Sequence, residues 1–237
     1  MKKRIWELDA FRGLCVLGMV IVHFVYDLVD LYGIIAWEYP GWFSFVKNWG
    51  GVLFLLISGI SATLGSRSVR RGVIVFACGM IVTAVTWGMY RFGFAGKSII
   101  IYFGVLQCLG VCMLLWPLFK KLPWWVLTAL GVAFVAVGLW MEAQPGVDVK
   151  YLMPLGLPWE YFASSDYFPL FPNLGYFLLG AAIGRTSYRK KQTLLPRVNA
   201  ENPILRFLQF VGRHSLEVYL LHQPILSGLS LLLSIIM

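Results

Sequence analysis

The stretch LDAFRGLCVLGMVIVHFVYDLVDLYG, residues 8–33, is apolar enough to enter a lipid bilayer and yet carries Asp9, Arg12, His23, Asp27 and Asp30. At about 100° per residue these five side chains fall within about 60° of arc, on one face of a helix that is otherwise apolar. Glu7 falls on the opposite side. A charge near the bilayer centre costs about 2.5–3.5 kcal/mol even on the most lenient insertion scale, so such a stripe has to face protein or a water-filled cavity.

The rest of the chain sets the same scene. With 59% hydrophobic residues, 13% charged residues and a mean hydropathy of +0.75, the 237 residues are too apolar for a soluble domain. Seven apolar runs lie near residues 10–33, 47–65, 70–91, 99–119, 123–142, 168–186 and 211–236. None alternates as barrel strands do, so the expectation is an all-α, polytopic membrane protein with about seven transmembrane helices, a single domain over 1–237. No small-residue cleavage site ends the first run, which is read as a retained anchor after MKKRIW rather than a signal peptide.

Orientation follows from the basic residues. With the N-terminus cytoplasmic, sixteen of the 20 Lys and Arg fall on the inner side, among them Lys2, Lys3, Arg4, Arg12, Arg70 and Arg71, and only Lys47, Arg91, Lys97 and Lys150 fall outside. The positive-inside rule thus gives N-in, C-out in the cytoplasmic membrane, and the net charge of +9 is mostly topology, leaving no need for a nucleic-acid partner. The same basic surface suits anionic membrane lipids or a phosphorylated co-substrate. Trp37, Trp42 and Trp49 flank an outer loop as an interfacial belt does. The four cysteines, Cys15, Cys78, Cys108 and Cys112, sit inside apolar runs and read as packing residues, and no metal-ligand set is expected.

Arg12 and His23 are eleven residues apart, roughly 16 Å along a helix, which puts Arg12 at the cytoplasmic rim and His23 past the midplane. Asp27 and Asp30 approach the outer rim. The layout suits a phosphorylated compound held from the cytoplasm while chemistry proceeds deeper. His23 can act as general base, with Asp27 one turn later fixing its tautomer, or can attack an acyl group itself. The blander readings are a structural His–Asp bond between helices and a local Asp9–Arg12 ion pair. A second cluster, GRHSLEVYLLHQPIL at residues 212–226, puts Ser215, Tyr219 and His222 on one face, with His222 near mid-membrane and His214 able to pair with Glu217. Gln107 reads as a tie between helices, and Gly50, Gly51 and Gly59 as sites of close helix approach.

Against these residues a resemblance can be stated. ELDAFRGLCVLGMVIVH resembles the first helix of the membrane acyltransferase superfamily that includes polysaccharide O-acetylases, in which a histidine follows the Asp by fourteen residues, as His23 follows Asp9. WGGVLFLLISGIS, YFGVLQCLGVCMLL, DYFPLFPNLGYFLLGAAIGR and GRHSLEVYLLHQPIL resemble, in order and spacing, successive blocks of the bacterial heparan-alpha-glucosaminide N-acetyltransferase-like family. The resemblance implies transfer of an acetyl group from cytosolic acetyl-CoA to a sugar amine or hydroxyl on the far side, with His23 catalytic and Arg12 near the donor. One departure stands out. The lysosomal members have their proposed active histidine in the loop after the first helix and an Asn in place of His23, whereas this chain has no histidine between His23 and His214.

The sequence reading is therefore an acetyl-CoA-dependent membrane acyltransferase. His23 and Asp27 are its catalytic candidates, and Arg12, Arg70 and Arg71 its candidates for the donor phosphates. Asp30, Trp49 and His222 are expected to meet the extracytoplasmic glycan or other small acceptor. A homo-oligomer is left open. The rivals are a proton-coupled transporter or flippase using the His/Asp stripe as a relay, and a non-enzymatic membrane partner protein.

Overall fold

The computed structural model describes residues 4–236; Lys2 and Lys3, counted above toward the inner face, lie outside the described residues. Eight α-helices are present among them: α1 (Trp6–Tyr26), α2 (Gly41–Leu64), α3 (Ser68–Arg91), α4 (Val105–Phe119), α5 (Trp124–Glu142), α6 (Leu170–Thr186), α7 (Pro203–Arg213) and α8 (Ser215–Ile236). A π-helical turn, Asp27–Leu31, continues α1. The helices group into two compact units, one built from residues up to Phe54 and from Gln192 onward, the other from Leu55–Lys191.

The protein is all-helical and polytopic. Five stretches are long and apolar enough to cross a membrane: Trp6–Leu31, Gly41–Leu64, Ser68–Arg91, Trp124–Glu142 and Ser215–Ser234. Their outward faces remain apolar, with Val73, Ile81 and Trp87 on α3 and Val132 and Leu139 on α5 exposed, a surface that suits lipid and not water. The other two runs fold as shorter helices, α4 of 15 residues and α6 of 17.

In the second unit α3 packs along α4 and α5 along α6. α4 is short because the chain entering it is tied to residues 166–168: the Phe168 N–H donates to the Phe103 carbonyl (2.9 Å), and the Val105 N–H to Asp166 Oδ2 (3.1 Å). Gln107 ties the helices as expected, accepting from the Gly104 N–H (3.0 Å) and donating to the Gly79 carbonyl (2.9 Å) and Thr83 Oγ1 (2.7 Å). Cys108 and Cys112 are buried beside it, and all four cysteines are free thiols.

In the first unit α1 packs on both α7 and α8. The last apolar run of the sequence, 211–236, is interrupted in the structure, its first residues closing α7 and the rest forming α8. α7 starts earlier because Asn202 accepts from the Ile204 N–H (3.0 Å) and Pro203 occupies the first helical position. It ends at His214, whose N–H bonds the Phe210 and Val211 carbonyls and whose Nδ1 lies 2.9 Å from the Phe210 carbonyl. His214 thus closes α7, and no pair with Glu217 forms among the described residues.

Backbone contact fixes α7 on α1. A Cβ on Gly13 would strike the Leu208 carbonyl, and one on Gly212 the Asp9 carbonyl. Gly59 of α2 likewise meets the Phe177 carbonyl and Gly180 the Leu56 carbonyl, whereas Gly50 faces open space. Gly13→Val and Gly59→Val should each lower the melting temperature measured in detergent, by an overpacking cost of about 1–3 kcal/mol, while Gly50→Ala should stay within about 0.5 kcal/mol of wild type.

Candidate active site

The polar stripe of α1 is matched in the first unit by polar groups of α8. Asp27, at the start of the π turn, has no exposed surface. Its carboxylate accepts two bonds from Gln223 Nε2 (3.0 and 3.1 Å) and a longer one from Ser227 Oγ (3.4 Å). Tyr32 Oη donates to the Ser227 carbonyl at 3.2 Å, extending the seam outward. An unsatisfied buried carboxylate costs more than the about 1–3 kcal/mol of an unsatisfied neutral polar group, so these donors fix α8 beside α1.

One turn back along α1, the His23 ring meets the His222 ring edge to face, with centroids 4.9 Å apart and planes at 76°. The Gln223 side chain also interacts with His23. The expected direct His23–Asp27 pair is replaced by this arrangement: Asp27 turns to its α8 donors, and Gln223 stands between it and the imidazole. His222 is buried, its Nδ1 is 2.6 Å from the Tyr219 carbonyl, and the Tyr219 ring packs 5.5 Å from it. One buried ring nitrogen here, His222 Nε2, lacks a hydrogen-bond partner. The cluster therefore joins two imidazoles, a carboxylate and a carboxamide within apolar helices, the ingredients of general acid–base and nucleophilic chemistry.

At the start of α1 the Asp9–Arg12 pair forms as a local i,i+3 contact (3.6 Å), but Asp9 also gathers Arg4 (3.8 Å) and Arg213 (3.6 Å). Three guanidinium groups thus meet at one carboxylate, and Arg213 also donates to Gln209 Oε1 (3.0 Å). Glu7, on the opposite side as expected, accepts from Thr193 Oγ1 (2.9 Å) and the Leu194 N–H (2.8 Å). Arg70 and Arg71 are exposed at the start of α3, in the other unit.

Beyond the π turn, Asp30 accepts from the Tyr39 hydroxyl at 2.5 Å. Tyr39 stacks on Phe43 (4.9 Å, 7°), Trp37 packs against both rings, and Lys47 Nζ lies 5.8 Å from the Tyr39 ring. Partial burial, together with the bond to Asp30 and its charge, pushes the Tyr39 phenol up to about 12, so it remains the donor of that pair. Trp49 is exposed and stacks instead on Phe45 (6.0 Å).

Gln223, Ser227, Tyr39 and Arg213 were not singled out in the sequence. Gln223 and Ser227 are spaced i,i+4 on the face that also carries Tyr219, a signal available had uncharged polar residues of α8 been weighed with its histidine.

A search of protein families finds one whose model, heparan-alpha-glucosaminide N-acetyltransferase, catalytic, matches residues 4–224, running through both units and including His23, Asp27, His222 and Gln223. No curated protein and no solved structure matches the chain. With its apolar helices, the chain is an acetyltransferase-type membrane enzyme belonging to the heparan-alpha-glucosaminide N-acetyltransferase catalytic family.

Proposed function

We propose that the protein moves an acetyl group from cytosolic acetyl-CoA to an amine or hydroxyl of a glycan or other small acceptor on the extracytoplasmic side of the cytoplasmic membrane. The observation that carries this reading is the His23–His222–Gln223–Asp27 cluster, whose His23 shares α1 with Asp9 and Arg12 and lies roughly 16 Å of helical rise beyond Arg12. The two ends of α1 match the two ends of a CoA thioester: anionic phosphates that need cations, and a reactive acyl group that needs a nucleophile or base away from water.

In this reading the N-terminus is cytoplasmic, the C-terminus is outside, and residues 1–237 work as one acyltransferase domain. Arg12 holds donor phosphates together with Arg213 and Arg4, and Arg70 and Arg71 are cytoplasmic cations by the positive-inside rule. His23 is the reacting imidazole, as base or acyl carrier. Asp27 positions it through Gln223 and does not touch it. Asp30, paired with Tyr39, and Trp49 meet the acceptor at the outer rim, with His222 beneath them.

Two measurements test this. Purified wild type given acetyl-labelled acetyl-CoA should release CoA, and His23→Ala should lose that release by about a hundredfold or more; flux of a ligand with no CoA release would instead mark a transporter. In titrations with CoA, dephospho-CoA and pantetheine, Arg12→Gln and Arg213→Gln should each weaken CoA by about ten- to a hundredfold while leaving pantetheine unchanged, as loss of a charge-assisted phosphate contact requires. Equal weakening of all three ligands would remove these arginines from the phosphate site.

A further inference from the structure

His222 holds an atom that the fold does not account for. The ring is only 8% exposed, and its Nδ1 lies 2.6 Å from the Tyr219 carbonyl oxygen. A carbonyl can only accept, so Nδ1 carries the proton, and in the neutral ring the Nε2 lone pair is left free. That nitrogen is buried without a hydrogen-bond partner. Buried polar atoms are nearly always satisfied, so a free lone pair inside a helical seam needs a reason. This orphan is an acceptor in want of a proton donor, and its ring lies against His23.

We infer that His222 is a second catalytic imidazole: its Nε2 takes the proton from the acceptor, leaving His23 free to carry the acetyl group. This rests on the acetyltransferase reading and divides its chemistry between the two rings. A His23 ring nitrogen attacks the thioester carbonyl, the C–S bond breaks, and the proton on the other His23 nitrogen goes to the departing thiolate, giving CoA thiol and an N-acetylimidazole. The acceptor's nitrogen or oxygen then attacks the acetyl carbon while its proton passes to His222 Nε2. As the C–N bond to His23 breaks, His222 returns that proton to His23, and both rings regain their starting form. Asp27 has no cation paired with it among the described residues, and its charge, held by Gln223, offsets the imidazolium formed during this step.

The test uses the full chain in lipid nanodiscs with acetyl-labelled acetyl-CoA, first alone and then with glucosamine. Wild type should release a burst of CoA, take label on His23, and lose it to water or, faster, to glucosamine. His222→Gln should keep the burst and the label but lose the label about a hundredfold more slowly. His222→Phe, which keeps a ring against His23 and has no base, should behave like His222→Gln; if Phe restores the wild-type rate, the role is packing and the inference is overturned. It is equally overturned if His222→Gln loses label at the wild-type rate, if it fails to take label, or if wild type acetylates glucosamine with no label on His23. A wild type that neither releases CoA nor takes label sinks the acetyltransferase reading itself, and this inference with it. Independently of activity, 15N spectra of histidine-labelled protein, with only three histidines to assign, should show His222 protonated at Nδ1; protonation at Nε2 would overturn the inference.

Discussion

The carboxylate of Asp27 is the constraint on which the rest of the first unit depends. A group of that polarity with no solvent contact requires donors, and the apolar face of α1 has none to offer, so they come from Gln223 and Ser227 of α8. Once α8 is fixed in that register, His222 stands one residue before Gln223 and five before Tyr32's anchor at Ser227, and its ring falls against His23. The proximity of the two histidines is thus a consequence of satisfying a buried acid. The backbone contact of Gly13 and Gly212 does the corresponding work at the other end of α1, setting Arg213 beside Asp9 and Arg12.

This gives α1 two polar ends with different physics. Near its start, three arginines surround one acid at 3.6–3.8 Å, distances of loose pairing. Near its other end, charges are few and polar atoms are buried, a setting in which each hydrogen bond and each unpaired lone pair counts for more than it does in water. A donor that is anionic at one end and reactive at the other suits such a helix.

Much of this was legible in residues 8–33, because a polar stripe at the 3.6-residue period in an apolar helix has to face protein or a water-filled cavity. His23, Asp27 and the Asp9–Arg12 pair were visible on those grounds, and the family was visible in the order of its sequence blocks. What escaped was what depends on another helix. The choice of Asp27 between His23 and Gln223 is settled by a residue 196 positions away, and the shortness of α4 by Asp166. α7 escaped because a search for about 20 apolar residues passes over an eleven-residue amphipathic helix with two arginines, although Asn-Pro at 202–203 marks its start. The π turn after Tyr26 leaves no mark in the hydrophobic pattern at all.

The most direct measurement is an experimental structure of the protein in lipid with a thioether analogue of acetyl-CoA that cannot react. The account predicts phosphate density at Arg12 and Arg213, and the acyl group in contact with the His23 ring beside His222. An acyl group lodged elsewhere, or a His23 ring turned toward lipid with Asp27 released from Gln223, would contradict it.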